Sequence, residues 1–157
     1  MAGPTPTKES SRRRERAGGD PPPGWLPFLR AHARLTRRLD EELRRDHGLS
    51  LNEYEVLLQL WLSGEGRMRR VDLAEHLLIT QGGVTRLLAG LEREGLVSRA
   101  ASPSDARVVF ACLTDQGAGR LEAARRDHLA TVRELFGAPF SEADLARLEE
   151  LLSRIEA

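Results

Sequence analysis

Hydrophobic positions recur at steps of three and four residues over most of the chain, which is the spacing of amphipathic helices. One such run begins at Trp25, and a second follows Ser50, a residue type that commonly caps helices. A short third run covers Val71–Leu77, and a fourth lies in LITQGGVTRLLAGLEREG, residues 78–95. The pattern therefore predicts four successive helices before the hydrophobic period changes.

The period changes after Gly95. The segments Leu96-Val97 and Val108–Leu113 are β-prone, and the sequence SPSD between them is typical of turns. This part of the chain predicts a β-hairpin. Helical spacing then returns and continues to Phe136, and a final helix follows Ser141, its predicted cap. The predicted order is four helices, a hairpin and two more helices.

Residues 1–24 differ from the rest, because they are rich in Pro, Gly, Ser and Arg and contain almost nothing to bury. They predict a disordered N-terminal arm, with the folded domain over 25–157. The RRRER run at 12–16 is interpreted as a solvated tail, with contact to nucleic-acid phosphates as the alternative.

Composition limits the candidate functions. The chain has 24 basic and 24 acidic residues, so binding of nucleic acid would require local positive charge. Cys112 is the single cysteine, interpreted as a small structural residue, and it permits neither an internal disulfide nor a cysteine-based metal site. No membrane-length apolar run occurs, so a cytoplasmic protein is expected. No nucleophile elbow, carboxylate pair with a supporting histidine, cofactor loop or close histidine pair occurs, so no catalytic residue, cofactor or metal is predicted.

Residues 71–95 predict a helix-turn-helix, a motif whose second helix enters the DNA major groove. Two apolar faces are joined by only Leu78-Ile79-Thr80, and the small side chain of Ala74 allows a close crossing. A phosphate-binding nucleotide loop is rejected, since it requires GxxxxGK[ST] after a strand. The predicted DNA-contacting positions of this motif are Thr80, Gln81, Gly82, Gly83, Thr85, Arg86 and Arg93.

The residue types on the second helix suit DNA. Gln81 matches adenine edges, Arg86 matches guanine or phosphate, and Thr80 is the predicted helix cap. Gly82 and Gly83 lower helix propensity but let backbone N–H groups approach phosphate closely. Gly90 in mid-helix is assigned to a tight helix crossing, and Gly95 to the end of the helix.

The run LAEHLLITQGGVTRLLAGLEREGLVSR, followed by SPSDARVVFACLTDQG, resembles the MarR family of winged helix-turn-helix transcription regulators. The family signature D-x-R…L-T-x-x-G falls on Asp105, Arg107, Leu113, Thr114 and Gly117. The resemblance extends from Trp25 to the C-terminus. It implies a mainly α fold with a small β-hairpin wing, in which 50–115 form the winged helix-turn-helix and 25–48 and 116–157 form dimerisation helices.

The resemblance also implies a homodimer that binds an inverted-repeat operator, most often as a repressor. The wing residues Ser104 and Arg107 would contact DNA, with Arg107 in the minor groove. Asp105 would brace the wing through a charge-assisted bond rather than contact DNA, and an ordinary exposed ion pair between Asp105 and Arg107 is the alternative. The fifth helix would bring four apolar residues into the dimerisation lobe: Leu121, Ala124, Val132 and Phe136.

Relatives with this pattern often bind a small aromatic or anionic effector between their two lobes. Here the resemblance suggests His32, Thr36 and Arg86 as effector contacts, although a histidine on an apolar helix face is more often a hydrogen-bonded core residue. Trp25 and Trp61 are assigned to the core. Two alternatives stay open: a helical dimer that binds a protein partner, and a DNA-binding regulator that responds to no ligand.

Overall fold

The computed structural model describes residues 20–77, 79–102 and 108–156. The chain divides into two compact units, the first ending at Leu35 and the second beginning at Thr36. The helices and strands are α1 Trp25–His47, α2 Leu51–Leu62, β1 Arg67–Arg69, α3 Arg70–Leu77, α4 Gln81–Arg93, β2 Val97–Ala101, β3 Val109–Leu113, α5 Asp115–Val132 and α6 Glu142–Glu156. The predicted class, mainly α with a small β-hairpin wing, is confirmed. Most of the predicted arm, including the RRRER run, lies outside the described residues.

Local signals fix the helix ends. Ser50 and Glu53 form a capping box, in which the Glu53 amide donates to Ser50 Oγ at 3.2 Å and the Ser50 amide donates to Glu53 Oε2 at 2.8 Å. Ser141 and Asp144 exchange the equivalent bonds at 3.2 and 3.1 Å. Gly48 follows α1 with a φ of +68°, a conformation that favours glycine. The predicted caps at Ser50 and Ser141 are therefore confirmed.

The hydrophobic core of the second unit is built mainly from aliphatic side chains of α2 to α5 and the sheet. Its fully buried large members are Leu43, Leu49, Val56, Leu57, Leu60, Leu73, Val84, Leu91 and Leu96. Leu121 and Ala124, only 2% and 0% exposed, belong to the same core. The N-terminal half of α5 therefore packs within its own chain, and the place of these two residues in a dimerisation lobe stays a prediction.

Two further expectations about apolar residues are corrected. Trp25 and Trp61 are 49% and 47% exposed, so neither is a core residue of the chain. The guanidinium of Arg125 lies 5.2 Å from the centroid of the Trp61 ring, a cation–π contact at the surface. Beyond Val132, the predicted helical segment continues as a π-helical turn over Arg133–Gly137.

The sheet contains a strand that periodicity does not predict. Its order is β1-β3-β2 and both pairings are antiparallel. β1 is only three residues long, Arg-Met-Arg, and Met68 pairs with Ala111 of β3. A run this short carries too little alternation to be recognised in the sequence, and it is a strand because it pairs with the neighbouring β3. None of the helices within the described ranges is long and apolar enough to cross a membrane.

The start of α5 is locked against the base of the wing. Thr114 Oγ1 lies 2.7 Å from the carbonyl oxygen of Gly95 and 3.0 Å from that of Leu96, and it accepts a hydrogen bond from the Gly117 amide at 3.0 Å. A Cβ at position 117 would lie 2.1 Å from the Leu96 oxygen. The spacing L-T-x-x-G thus has a physical cause: threonine caps the helix, and glycine admits the carbonyl group.

Candidate nucleic-acid interface

Helix α4 is fixed to the core through one face and exposes the other. Val84, Leu88 and Leu91 are at most 2% exposed, and they follow one another at steps of four and three residues. The opposite face consists of polar or small residues that the structure leaves exposed: Gln81, Gly82, Thr85, Arg86 and Arg93. A rigid helix with an uncovered polar face is the arrangement that a recognition helix requires.

The N-terminus of α4 has the predicted cap. The Gly83 amide donates to Thr80 Oγ1 at 3.1 Å, and Thr80 has an extended backbone with φ −68° and ψ 152°. Neither glycine is required by the fold itself. A Cβ at Gly82 would have Thr80 Oγ1 as its nearest neighbour, at 4.0 Å, and one at Gly83 would meet the same atom at 3.4 Å. Both are ordinary contacts, and both glycines have helical backbone.

The polar side chains of α4 differ in whether they already form hydrogen bonds within the chain. Thr85 Oγ1 donates to the Gln81 carbonyl at 2.9 Å, and Arg93 Nε donates to the Ala89 carbonyl at 3.2 Å. The side chains of Gln81 and Arg86 make no hydrogen bond or ion pair within the described ranges of the chain. Arg86 is therefore the uncommitted cation of α4, meaning that its side chain has no partner within the described ranges.

The wing follows α4 as predicted. β2 and β3 pair from Val97 opposite Leu113 to Ala101 opposite Val109, and the Ser102 amide extends the pairing by donating to the Val108 carbonyl at 2.9 Å. The predicted wing residues Ser104, Asp105 and Arg107 lie outside the described residues, so their roles stay predictions.

An ion pair connects α4 to the wing. Arg99 Nε on β2 donates to Glu92 Oε1 on α4, and this bond raises the pKa of Arg99. The pair links the wing strand to the recognition helix, a contact that sequence reasoning missed. The available signal was the pair of opposite charges on either side of the turn at Gly95.

An open cleft of about 260 Å³ lies between α4, the beginning of α3 and β3. It is lined by Arg69, Arg70, Val71, Gln81, Thr85, Val108 and Val109. Arg69 is bonded to Asp72 at 2.8 and 2.6 Å, which lowers the pKa of Asp72. Sequence reasoning did not select the arginines at 69 and 70, because the β-strand that positions them was not predicted.

Gly90 does not mark a forced helix crossing. A Cβ there would meet Glu53 Oε1 of α2 at 3.6 Å, which is ordinary van der Waals contact. The packing therefore does not require glycine at this position. Gly95, in contrast, has a φ of +72°, which confirms its role in ending the helix.

The effector contacts suggested by the resemblance, His32, Thr36 and Arg86, stay predictions. His32 lies on α1 with its ring 6.4 Å from that of Phe28, and Thr36 lies on the same helix. Arg86 is not among the residues that line the cleft beside α4. The described part of the chain contains no cluster of three or more His, Cys, Asp or Glu that could hold a metal.

Comparison with known proteins supports the assignment as a winged helix-turn-helix protein. The profile of the MarR family matches residues 49–109. The chain is 30% identical over 131 residues to the HTH-type transcriptional regulator MhqR of Bacillus subtilis, an alignment covering 83% of this chain and 88% of that protein.

Two solved structures from Streptomyces coelicolor share the whole fold. AbsC, a MarR family transcriptional regulator, superposes with a TM-score of 0.80 at 28% identity, covering 98% of this chain and 96% of that one. Sco3205, a MarR family regulator solved in complex with DNA, gives a TM-score of 0.81 at 28% identity, covering 99% and 90%. The relatives are regulators rather than enzymes, and this chain belongs to the MarR family of winged helix-turn-helix transcriptional regulators.

Proposed function

We propose that the protein binds DNA through α4 and its wing, with α4 in a major groove. The observation that carries the proposal is the polar face of α4, where Gln81 and the uncommitted Arg86 are exposed while Val84, Leu88 and Leu91 hold the helix to the core. Arginine reads guanine bidentately and glutamine reads adenine, so this face suits base contacts. Sco3205, with the same fold, was solved bound to DNA.

The functional unit in this proposal is a homodimer. Apolar side chains remain exposed in both units of the chain: Trp25, Leu26, Phe28 and Leu29 at 41–49%, and Phe136, Phe140, Leu151 and Ile155 at 37–79%. We infer that a second copy of the chain covers the apolar surface on α1 and α6, because exposed apolar patches of this kind mark protein interfaces. Two recognition helices about 34 Å apart would read an inverted repeat.

The regulatory part of the proposal is repression that a small phenolic or anionic ligand relieves, with His32, Thr36 and Arg86 as its contacts. This regulatory proposal rests on the family resemblance.

Thermal melting with a panel of phenols and phenolic carboxylates tests the proposed ligand response, because a bound ligand raises the melting temperature. A compound that both stabilises the protein and releases it from DNA supports ligand response. If the panel contains no such compound, the ligand-independent alternative is favoured. A regulator of this kind would act in the cytoplasm.

The central experiment selects operators from a random-sequence DNA pool and measures their binding by fluorescence anisotropy. Arg86→Ala and Arg107→Ala are each expected to weaken binding to the selected operator by about 1–3 kcal/mol. Arg93→Ala is the comparison variant on the same helix, and a smaller loss is expected because its guanidinium already bonds the Ala89 carbonyl. Full affinity in the Arg86/Arg107 double variant would refute these roles.

Salt dependence separates this function from a protein-interaction module. Binding through phosphates releases counterions and weakens steeply as salt rises. A wild-type protein that selects no DNA sequence and shows no salt-dependent DNA binding would favour the interaction module.

The glycines of α4 provide a separate test. Because Gly82 has room for a Cβ, Gly82→Ala is expected to keep or raise stability. If backbone approach to phosphate is the reason for glycine there, the same variant weakens DNA binding. Unchanged DNA affinity would contradict that reason while leaving the rest of the proposal intact.

A further inference from the structure

Three arginines follow Gly66 closely, and they differ in what they contact. Arg67 is bonded to Glu65 at 2.9 Å and lies 5.1 Å from the centroid of the Phe110 ring. Arg69 is bonded to Asp72 through two nitrogens. Arg70 is exposed, and its side chain forms no ion pair or hydrogen bond within the described ranges. Of the three, only Arg70 keeps its full hydrogen-bonding capacity for an external partner.

Arg70 also occupies a specific place. It lines the cleft between α4 and β3, where Gln81 and Thr85 form the recognition-helix wall and Val108 and Val109 form the wing wall. It is the first residue of α3, directly after β1, so the pairing of β1 with β3 positions it. Arg69 lines the same cleft, but Asp72 neutralises it locally.

This cleft lies where a DNA backbone has to pass. If α4 occupies a major groove and the wing the adjacent minor groove, the sugar-phosphate strand that separates the two grooves crosses the surface between them. The first helix of a helix-turn-helix is likewise placed across the backbone. We propose that Arg70 binds a phosphate of that strand and so sets the register of α4 and the wing on the duplex. The inference rests on the proposed DNA-binding function.

A phosphate contact has a measurable signature. Each phosphate neutralised on duplex DNA contributes about 0.9 to the slope of log affinity against log salt. Loss of one such contact per protomer therefore lowers the slope by about 0.9 per protomer and affinity at 0.1 M salt by about eightfold per protomer. Because phosphates carry no sequence information, the loss is equal on operator and on mixed-sequence DNA.

The test measures anisotropy of labelled duplexes of about 30 base pairs, long enough for two half-sites one turn apart. One duplex has mixed sequence, and the other is the best binder that the wild type selects from a random pool. Arg70→Ala is titrated at salt concentrations from about 50 to 300 mM. Arg70→Lys keeps the charge, and Arg67→Ala removes the same charge outside the cleft. Thermal melting checks that all variants fold.

The expected result is a reduced slope for Arg70→Ala, equal on both duplexes, with Arg67→Ala and Arg70→Lys close to wild type. A wild-type slope in Arg70→Ala overturns the inference but leaves the proposed function standing. An equal reduction in Arg67→Ala also overturns it, since any lost charge would then suffice. A loss confined to the selected operator would indicate base contact and would equally overturn it. Absence of salt-dependent binding in the wild type would instead refute the proposed function.

Discussion

Replacing Gly117 by alanine is expected to destabilise the protein, even though alanine favours helices. The added Cβ would lie 2.1 Å from the Leu96 carbonyl oxygen and 2.9 Å from Leu113 Cδ1. Since carbon–oxygen contacts are rarely below about 3.3 Å, the start of α5 would have to move about 1 Å away from Leu96. That movement would break the hydrogen bond from the Thr114 amide to the Leu96 carbonyl, now 3.2 Å long.

The magnitude follows from three contributions. Forcing extra volume into a packed site costs about 1–3 kcal/mol. Losing the Thr114–Leu96 hydrogen bond costs about 1 kcal/mol, and alanine's higher helix propensity offsets about 1 kcal/mol. The net loss is about 1–3 kcal/mol, which corresponds to a fall in melting temperature of about 2–12 °C for a domain of this size.

Gly119→Ala is the matched control on the same helix. A Cβ at Gly119 has no neighbour within 4 Å, so only helix propensity changes. This variant is expected to gain about 0.5–1 kcal/mol. Thermal melting followed by circular dichroism compares Gly117→Ala with Gly119→Ala. Both variants are measured at one protein concentration, because the melting temperature of an oligomer depends on concentration. A Gly117→Ala protein that melts at or above the wild-type temperature would refute the steric reasoning.

Three other predictions concern stability. Gly90→Ala should stabilise the protein by about 0.5–1 kcal/mol, because its Cβ meets Glu53 Oε1 at an acceptable 3.6 Å, and a lower melting temperature would contradict this. Burial lowers the pKa of His128, whose ring lies 4.4 Å from that of Tyr54, with Glu42 opposing the shift. The unfolded chain therefore binds a proton at His128 more readily than the folded chain, so the free energy of unfolding should fall as pH drops below 6.5. Urea titrations at several pH values should show a smaller fall for His128→Phe. Ser50→Ala should cost about 1 kcal/mol by urea denaturation, and no change would argue against the capping box.

Much of the fold was predictable because its signals are local. The step of three and four residues shows where α4 buries Val84, Leu88 and Leu91, and a hydroxyl at Thr80 marks where it begins. The switch to β-prone residues around a turn sequence gives the hairpin. These features depend on residues within one or two helical turns, so the order of the helices and the hairpin, and the presence of a helix-turn-helix, can be read directly from the chain.

Tertiary structure decided what depends on residues far apart in sequence. Leu121 has the helical spacing of any apolar residue, and only the packing of α5 shows that it faces the chain's own core. β1 exists because β3 lies beside it, and that pairing places Arg70 in the cleft next to α4. The sequence by itself determined which helices form and which α4 residues face outward. Packing decided where these cations lie, because Arg67 and Arg69 bond sequence neighbours whereas the place of Arg70 beside α4 depends on strands that are distant in sequence.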